Sequence, residues 1–265
     1  QMSFTKVKKG VCAAKGFVAN GLNCGLNSDK NKNDLALVYS ETQCQAAAVY
    51  TTNKVKGAPI QVTKAHLEAS GHTAKAVIVN SKNANTCNAD GVEKAQRMCE
   101  LAAAELSIDP NEVIVASTGV IGQVLPIEPI ESHIKELAKG LSADGNDKAV
   151  NAIMTTDTVP KQYAVKFMLG DCECTVGGMA KGSGMIHPNM ATTLNFITSD
   201  VAISSELIQK ALSEIVKVTY NCLSIDGDTS TNDMVSIMAN GLAGNTPITT
   251  ENDDYQTFKD ALYEV

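Results

Sequence analysis

Tryptophan is absent from this sequence, and all aromatics together make up 4% of its 265 residues. A core with so few rings must be built from Ala, Val, Ile, Leu and Met, which suits helices packed closely on sheets. Positive charge is also in short supply: 22 Lys and Arg stand against 29 Asp and Glu, giving a net charge of −7. Nucleic-acid recognition rests on cations facing phosphates, so a nucleic-acid partner is not expected. No run approaches the ~20 consecutive apolar residues of a membrane-crossing helix, so no membrane partner is expected either. Gln1 to Lys9 lacks the apolar centre of a signal peptide, which makes cytoplasm the expected compartment.

Repeats, charge blocks and low-complexity tracts are missing as well, and only seven prolines punctuate the chain. Cysteines are not missing: eight lie at 12, 24, 44, 87, 99, 172, 174 and 222. Their spacings are scattered, and the C-x-C of Cys172 and Cys174 has no histidine at zinc-ligand distance in sequence. Buried free thiols and no metal site are expected.

Short apolar runs read as strands at Leu35–Tyr39, Ala46–Thr51, Ala76–Val79, Val113–Ala116, Tyr163–Leu169 and Cys174–Val176. Between them, apolar residues recur at spacings of three and four. Gly91–Leu106 carries Val92, Ala95, Met98, Cys99, Ala102 and Leu106 in this way. Pro126–Leu141 and Ser204–Tyr220 show the same pattern, and so does Tyr255–Val265, which runs on without a stop signal as a chain that ends early would. One apolar stripe per helix packed on a sheet gives a mixed α/β class, of α+β type.

The segment from Gly177 to Thr198 stands apart. Glycines at 177, 178, 182 and 184 read as a flexible loop directly after a strand, and a strand-like run follows Thr192. In a phosphate-binding loop Gly-Lys precedes Ser or Thr, but here Lys181 comes before Gly182 and Ser183. Gly182-Ser183-Gly184 lacks the outer spacing of a nucleophile elbow. Asp226-Gly-Asp-Thr-Ser-Thr-Asn-Asp fails as a calcium loop, because Thr231 and Ile237 stand where Gly and Glu are required. It reads instead as a turn dense in side-chain-to-backbone hydrogen bonds. Asn80, Asn83 and Asn85 read as loop residues that tolerate a left-handed backbone. By residue type alone, a structural glycine loop, a strand-ending turn at Ser117-Thr118-Gly119 and a solvated Lys181 all remain open.

Lys181-Gly-Ser-Gly-Met-Ile-x-Pro-Asn-Met-Ala-Thr closely resembles the self-cleavage segment of the ornithine acetyltransferase (glutamate N-acetyltransferase) family. Five further blocks look like that family in its order. They are Thr51-Thr-Asn-Lys-Val-Lys-x-Ala-Pro, Val79-Asn-Ser-x-Asn-Ala-Asn, Val115-Ala-Ser-Thr-Gly-Val-Ile-Gly, Ala152-Ile-Met-Thr-Thr-Asp-Thr and the Asp226 block. Together they cover the chain from about Gly16 to Gly241.

The resemblance implies a layered sandwich with β-sheets between helices, cut between Ala191 and Thr192 into an α chain (1–191) and a β chain whose first part is 192–265. It implies that Thr192 is the nucleophile and that the Thr118 hydroxyl and Gly119 N–H are the oxyanion donors. Thr155, Lys181 and Thr192 would bind substrate. The implied reaction moves the acetyl group of N-acetylornithine to glutamate in arginine biosynthesis. No cofactor is implied, acetyl-CoA stays open as a second donor, and two α and two β chains would form a heterotetramer. An N-terminal-threonine amidohydrolase or aminopeptidase is the alternative enzyme, and a non-catalytic binding protein the alternative outside enzymes. His187 has no required role as base and reads as structural. The chain departs from the family at Lys82, where a glycine is usual, and at Thr193, where a larger apolar residue is common. The family's chain continues past Val265, and its later substrate-binding residues have no counterpart here.

Overall fold

A computed structural model describes residues 3–86, 89–154, 161–182, 193–219 and 232–265. Strands β1 (Thr5–Lys6), β2 (Phe17–Leu22) and β3 (Leu35–Tyr50) come first, then helix α1 (Ala58–Ser70) and β4 (Thr73–Asn80). Helix α2 (Gly91–Leu106), β5 (Val113–Ser117), α3 (Glu128–Lys139) and α4 (Asn146–Ile153) follow. The hairpin β6 (Lys161–Leu169) and β7 (Cys172–Lys181) leads to β8 (Leu194–Ser199), α5 (Ser205–Thr219), β9 (Met234–Ala239) and α6 (Asp253–Glu264). Among the described residues these strands form one sheet in the order β1-β6-β7-β8-β9-β3-β4-β5, with β2 beside β3.

The two strands expected at Leu35–Tyr39 and Ala46–Thr51 are one 16-residue strand. A register shift between Tyr39 and Cys44 separates its halves. Polar Ser40 to Gln43 interrupt the apolar pattern there, and a bulge accommodates them without ending the strand. On one side the first half of β3 pairs with β2 and the second half with β9. That double pairing makes β3 the hinge of the sheet.

Alternate residues of β3 face different cores. Ala36, Val38, Ala46 and Ala48 join Val77, Ile114, Met179, Leu194, Phe196 and Met234 in an inner core closed by α4 and the turn at Gly10–Cys12. Leu35 and Leu37 pack outward on α2 and α3, and Ala47 packs outward with Val235 and Ile237 on α5 and α6. The inner core draws on both halves of the sheet, so the halves face each other with helix pairs outside. Alanines on the inner face of β3 let the layers approach closely. Helix α1 runs along the free edge of β5. There Thr63 Oγ1 donates to Val115 O (2.8 Å) and accepts from Val115 N (3.0 Å), and His66 Nδ1 donates to Val113 O (2.9 Å). These bonds blunt an edge that would otherwise pair with another strand.

The helices at Gly91, Pro126, Ser204 and Tyr255 form within two residues of their expected bounds, but Val92 points outward and is 46% exposed. Helices α1 and α4 and strands β2 and β9 have weaker patterns and enter here from the structure. The expected glycine loop is overturned as well. Gly177 and Gly178 are not loop residues; they lie inside β7. A Cβ at Gly177 would sit 2.1 Å from Gly10 O, and one at Gly178 would sit 2.7 Å from the Tyr163 ring. Glycine is used there for close approach, not for flexibility.

Candidate active site

Strands β4 and β5 are parallel neighbours, with Asn80 opposite Ser117 at their shared end. Beyond it the two loops continue to pair: Ala84 N–H donates to Val120 O at 3.0 Å, and Asn83 bridges Val120. Between these contacts Gly119 adopts φ 131°, and a Cβ there would lie 2.3 Å from Lys82 C and 2.5 Å from Asn83 N. Both the backbone region and the space exclude a side chain, so glycine is required. Lys82 itself is left-handed at φ 74°, a conformation that glycine adopts without strain. Asn85 is left-handed as expected (φ 52°), whereas Asn80 belongs to β4.

Side chains brace this loop from several directions. Ser117 Oγ donates to Asn80 Oδ1 (2.6 Å), and Asn80 Nδ2 donates to Ser81 O (3.2 Å) and Asn83 O (2.9 Å). Thr118 N–H donates to Asn80 O at 3.0 Å. Asn232 crosses from the start of β9, where Nδ2 donates to Ala84 O (2.6 Å) and Ser117 O (3.2 Å). Its Oδ1 lies so near Gly57 that a Cβ there would be 1.8 Å away. The neighbouring Asp233 accepts from Thr193 N at 2.8 Å through Oδ1 and from Thr51 N at 2.9 Å through its carbonyl. Asn232 and Asp233 close the Asp226 block, and their side-chain bonds run to the backbones of distant loops. Sequence reasoning gave neither an individual role; the dense polar block was the only signal.

Lys181 ends β7, opposite Leu194 at the start of β8. It is not a solvated surface charge: it is 2% exposed, and its Nζ donates to Thr118 Oγ1 at 2.5 Å. Strands β7 and β5 are five steps apart in the sheet, about 24 Å in a flat one. The contact therefore requires the folding described above. Thr118 and Gly119 are buried, and among the described residues neither the Thr118 hydroxyl proton nor the Gly119 N–H is given to an acceptor. A buried donor left unspent costs roughly 1–3 kcal/mol, so two adjacent ones mark a place where an acceptor arrives. A carbonyl oxygen gaining negative charge is such an acceptor.

Thr118, Gly119 and Lys181 are thus brought together. Thr155, Ala191 and Thr192 lie outside the described residues, as do His187, Cys87, Cys222 and 226–231. The described thiols are free, and all but the half-buried Cys172 are buried. Burial pushes Cys12, Cys44 and Cys174 up to about 12, which suits packing and not nucleophilic chemistry. Among the described residues no three His, Cys, Asp or Glu side chains converge as metal ligands, and no helix is long and apolar enough to cross a membrane.

Against known proteins, a family model described as the ArgJ family matches residues 18–265. Arginine biosynthesis bifunctional protein ArgJ 1 of Clostridium acetobutylicum is 50% identical over 250 residues, which are 94% of this chain and 60% of that protein. The ArgJ protein of Bacillus subtilis is 49% identical over 97% of this chain and 62% of its own length. The chain therefore spans a little over three fifths of these relatives.

Among solved structures, the ArgJ protein of Bacillus halodurans superposes with a TM-score of 0.65 at 39% identity, over all of that chain and 72% of this one. Ornithine acetyltransferase of Mycobacterium tuberculosis, complexed with ornithine, gives 0.62 at 35% identity over all of its chain and 71% of this one. A Burkholderia β-aminopeptidase shares the fold alone, with a TM-score of 0.59 at 10% identity over 99% of this chain and 85% of its own. With one family model matched from residue 18 to residue 265 and about half of all residues shared with its relatives, the chain belongs to the ArgJ family.

Proposed function

We propose that the protein moves an acetyl group from N-acetylornithine to glutamate through an acetyl ester on Thr192, after cutting its own backbone between Ala191 and Thr192. The observation that carries this reading is the pair of unspent buried donors at Thr118 and Gly119, met across the folded sheet by Lys181. Thr192 stands two residues before Leu194, the partner of Lys181 in the β7–β8 ladder. Two residues span at most ~7 Å, so the chain tethers Thr192 to the strand end that carries Lys181.

A threonine hydroxyl needs a base at neutral pH. Scission supplies one, the new α-amine of Thr192, whose ordinary pKa is about 7.7–8.0. In the precursor the hydroxyl attacks the Ala191 carbonyl, and the resulting ester is hydrolysed. In the mature enzyme Thr192 Oγ attacks the acetyl carbonyl while the amine takes its proton. The tetrahedral oxyanion accepts from Thr118 O–H and Gly119 N–H, and ornithine leaves with the proton. Glutamate's amine then attacks the acetyl ester and restores Thr192, a two-step course that gives ping-pong kinetics. In this reading Thr155 and Lys181 contribute to substrate binding.

The two solved relatives are covered end to end by 72% and 71% of this chain. That is close to the share residues 1–191 make of 265, which supports a natural boundary before Thr192. We read 1–191 as an α chain and 192–265 as the first part of a β chain, two of each associating in the cytoplasm. The relatives' printed name, bifunctional, leaves room for acetyl-CoA as a second donor to the same threonine.

Intact-mass analysis of the full-length protein tests the proposal. Wild type is expected as two fragments meeting at 191–192, and Thr192→Ala as one uncut chain without acetyl exchange. An active wild type with that bond intact would remove the mechanism. Acetate released without transfer to glutamate would make the enzyme a hydrolase instead.

A further inference from the structure

We infer that Lys181 is a positioning residue for the oxyanion hydroxyl: its ammonium orients and polarises Thr118 O–H. This deepens the reading above and rests on Thr118 being an oxyanion donor. An ammonium has three protons and no lone pair, so in the 2.5 Å contact Thr118 Oγ1 can only accept. A hydroxyl has a single proton, free to rotate about the Cβ–Oγ bond. With one lone pair taken by Lys181, that proton is turned away from the lysine.

The residue cannot turn as a whole, because its N–H is held by Asn80 O at 3.0 Å. Among the described residues the hydroxyl proton meets no acceptor, so its direction is set while its partner is still to come. Accepting from a cation also makes a hydroxyl a stronger donor, and burial raises the effect because little solvent screens it. A lysine that served only a substrate carboxylate would have no need of this contact.

The test uses p-nitrophenyl acetate, which has neither the carboxylate nor the amine of the natural substrates. Full-length protein shown by mass to be cut at 191–192 is mixed with the ester, and the burst of p-nitrophenol reports acetylation of Thr192. Thr118→Val is expected to slow the burst by ~10²-fold, the usual loss of one oxyanion donor. Lys181→Met should slow it by at least ~10-fold, and the double variant should be no slower than Thr118→Val alone, since the lysine acts through that hydroxyl. Where Lys181→Met is not cut, Lys181→Gln, a neutral donor of similar reach, is assayed in the same way. The inference is overturned if Lys181→Met leaves the burst rate unchanged and raises only KM for N-acetylornithine, or if the two losses multiply. A burst that survives in Thr192→Ala would overturn the nucleophile assignment itself, and this inference with it.

Discussion

The two sheet ends that meet at Lys181 are held by different kinds of contact among the described residues. The β4–β5 end is cross-tied by Asn80, Ser117 and Asn232, and its loops continue to pair past the last strand residues. At the β7–β8 end the contacts seen among the described residues run mainly through backbone ladders: Lys181 opposite Leu194, Leu194 opposite Met234, and Thr193 held by Met234 N–H and by Asp233. The contrast matches the proposed chemistry. Oxyanion donors act by standing in place before charge develops, so their backbone must be rigid. The strand that follows the nucleophile is anchored instead by the ladder from Thr193 onward.

The contrast can be broken most severely at Gly119. Gly119→Ala forces a Cβ into the Lys82–Asn83 backbone from a backbone angle that side chains rarely adopt. It is expected to cost roughly 2–4 kcal/mol in urea unfolding and at least ~10²-fold in acetyl exchange. The matching change on the other side, Gly182→Ala, meets among the described residues the far end of the Lys161 side chain and should shift stability by less than ~0.5 kcal/mol. Equal losses from the two would erase the difference between the ends.

An intermediate effect is expected from Asn232→Leu, which takes two donations from the buried carbonyls of Ala84 and Ser117. A loss of about 2–3 kcal/mol, with kcat falling more than KM rises, would fit a residue that holds the donors and does not touch substrate. A change in KM alone would move Asn232 into the substrate site. A smaller effect, of opposite sign, is expected at Lys82, left-handed at φ 74°. Lys82→Gly relieves that strain and should raise stability by up to ~1 kcal/mol with exchange unchanged. A fall in stability would show that the lysine side chain contributes more than its backbone costs.

Helices were the most legible part of the fold. Ile130, Ile134 and Leu137, or Ile208, Ala211 and Leu212, recur with the helical period, and they are the residues buried in the outer cores. Val92 kept the period but lies exposed in the first turn of α2. Strand β3 was read as two because local polarity marks a break in the apolar pattern, whereas continuity depends on neighbours that pair across it. Gly177 and Gly178 were misread for the same reason. A glycine that opens a loop and one that admits another backbone look identical until the other backbone is in view.

Sequence by itself determined the family, the helical stripes, the free thiols among the described residues and the presence of Thr118, Gly119 and Lys181 in separate blocks. Local spacing and residue chemistry carry that information, since each depends only on near neighbours along the chain. Tertiary structure alone decided that Lys181 is buried against a hydroxyl from five strands away and that Asn232 ties the start of β9 to the same loop. Those contacts exist because β3 serves both halves of a sheet that doubles over, and long-range closure of that kind leaves no periodic trace in the residues it joins.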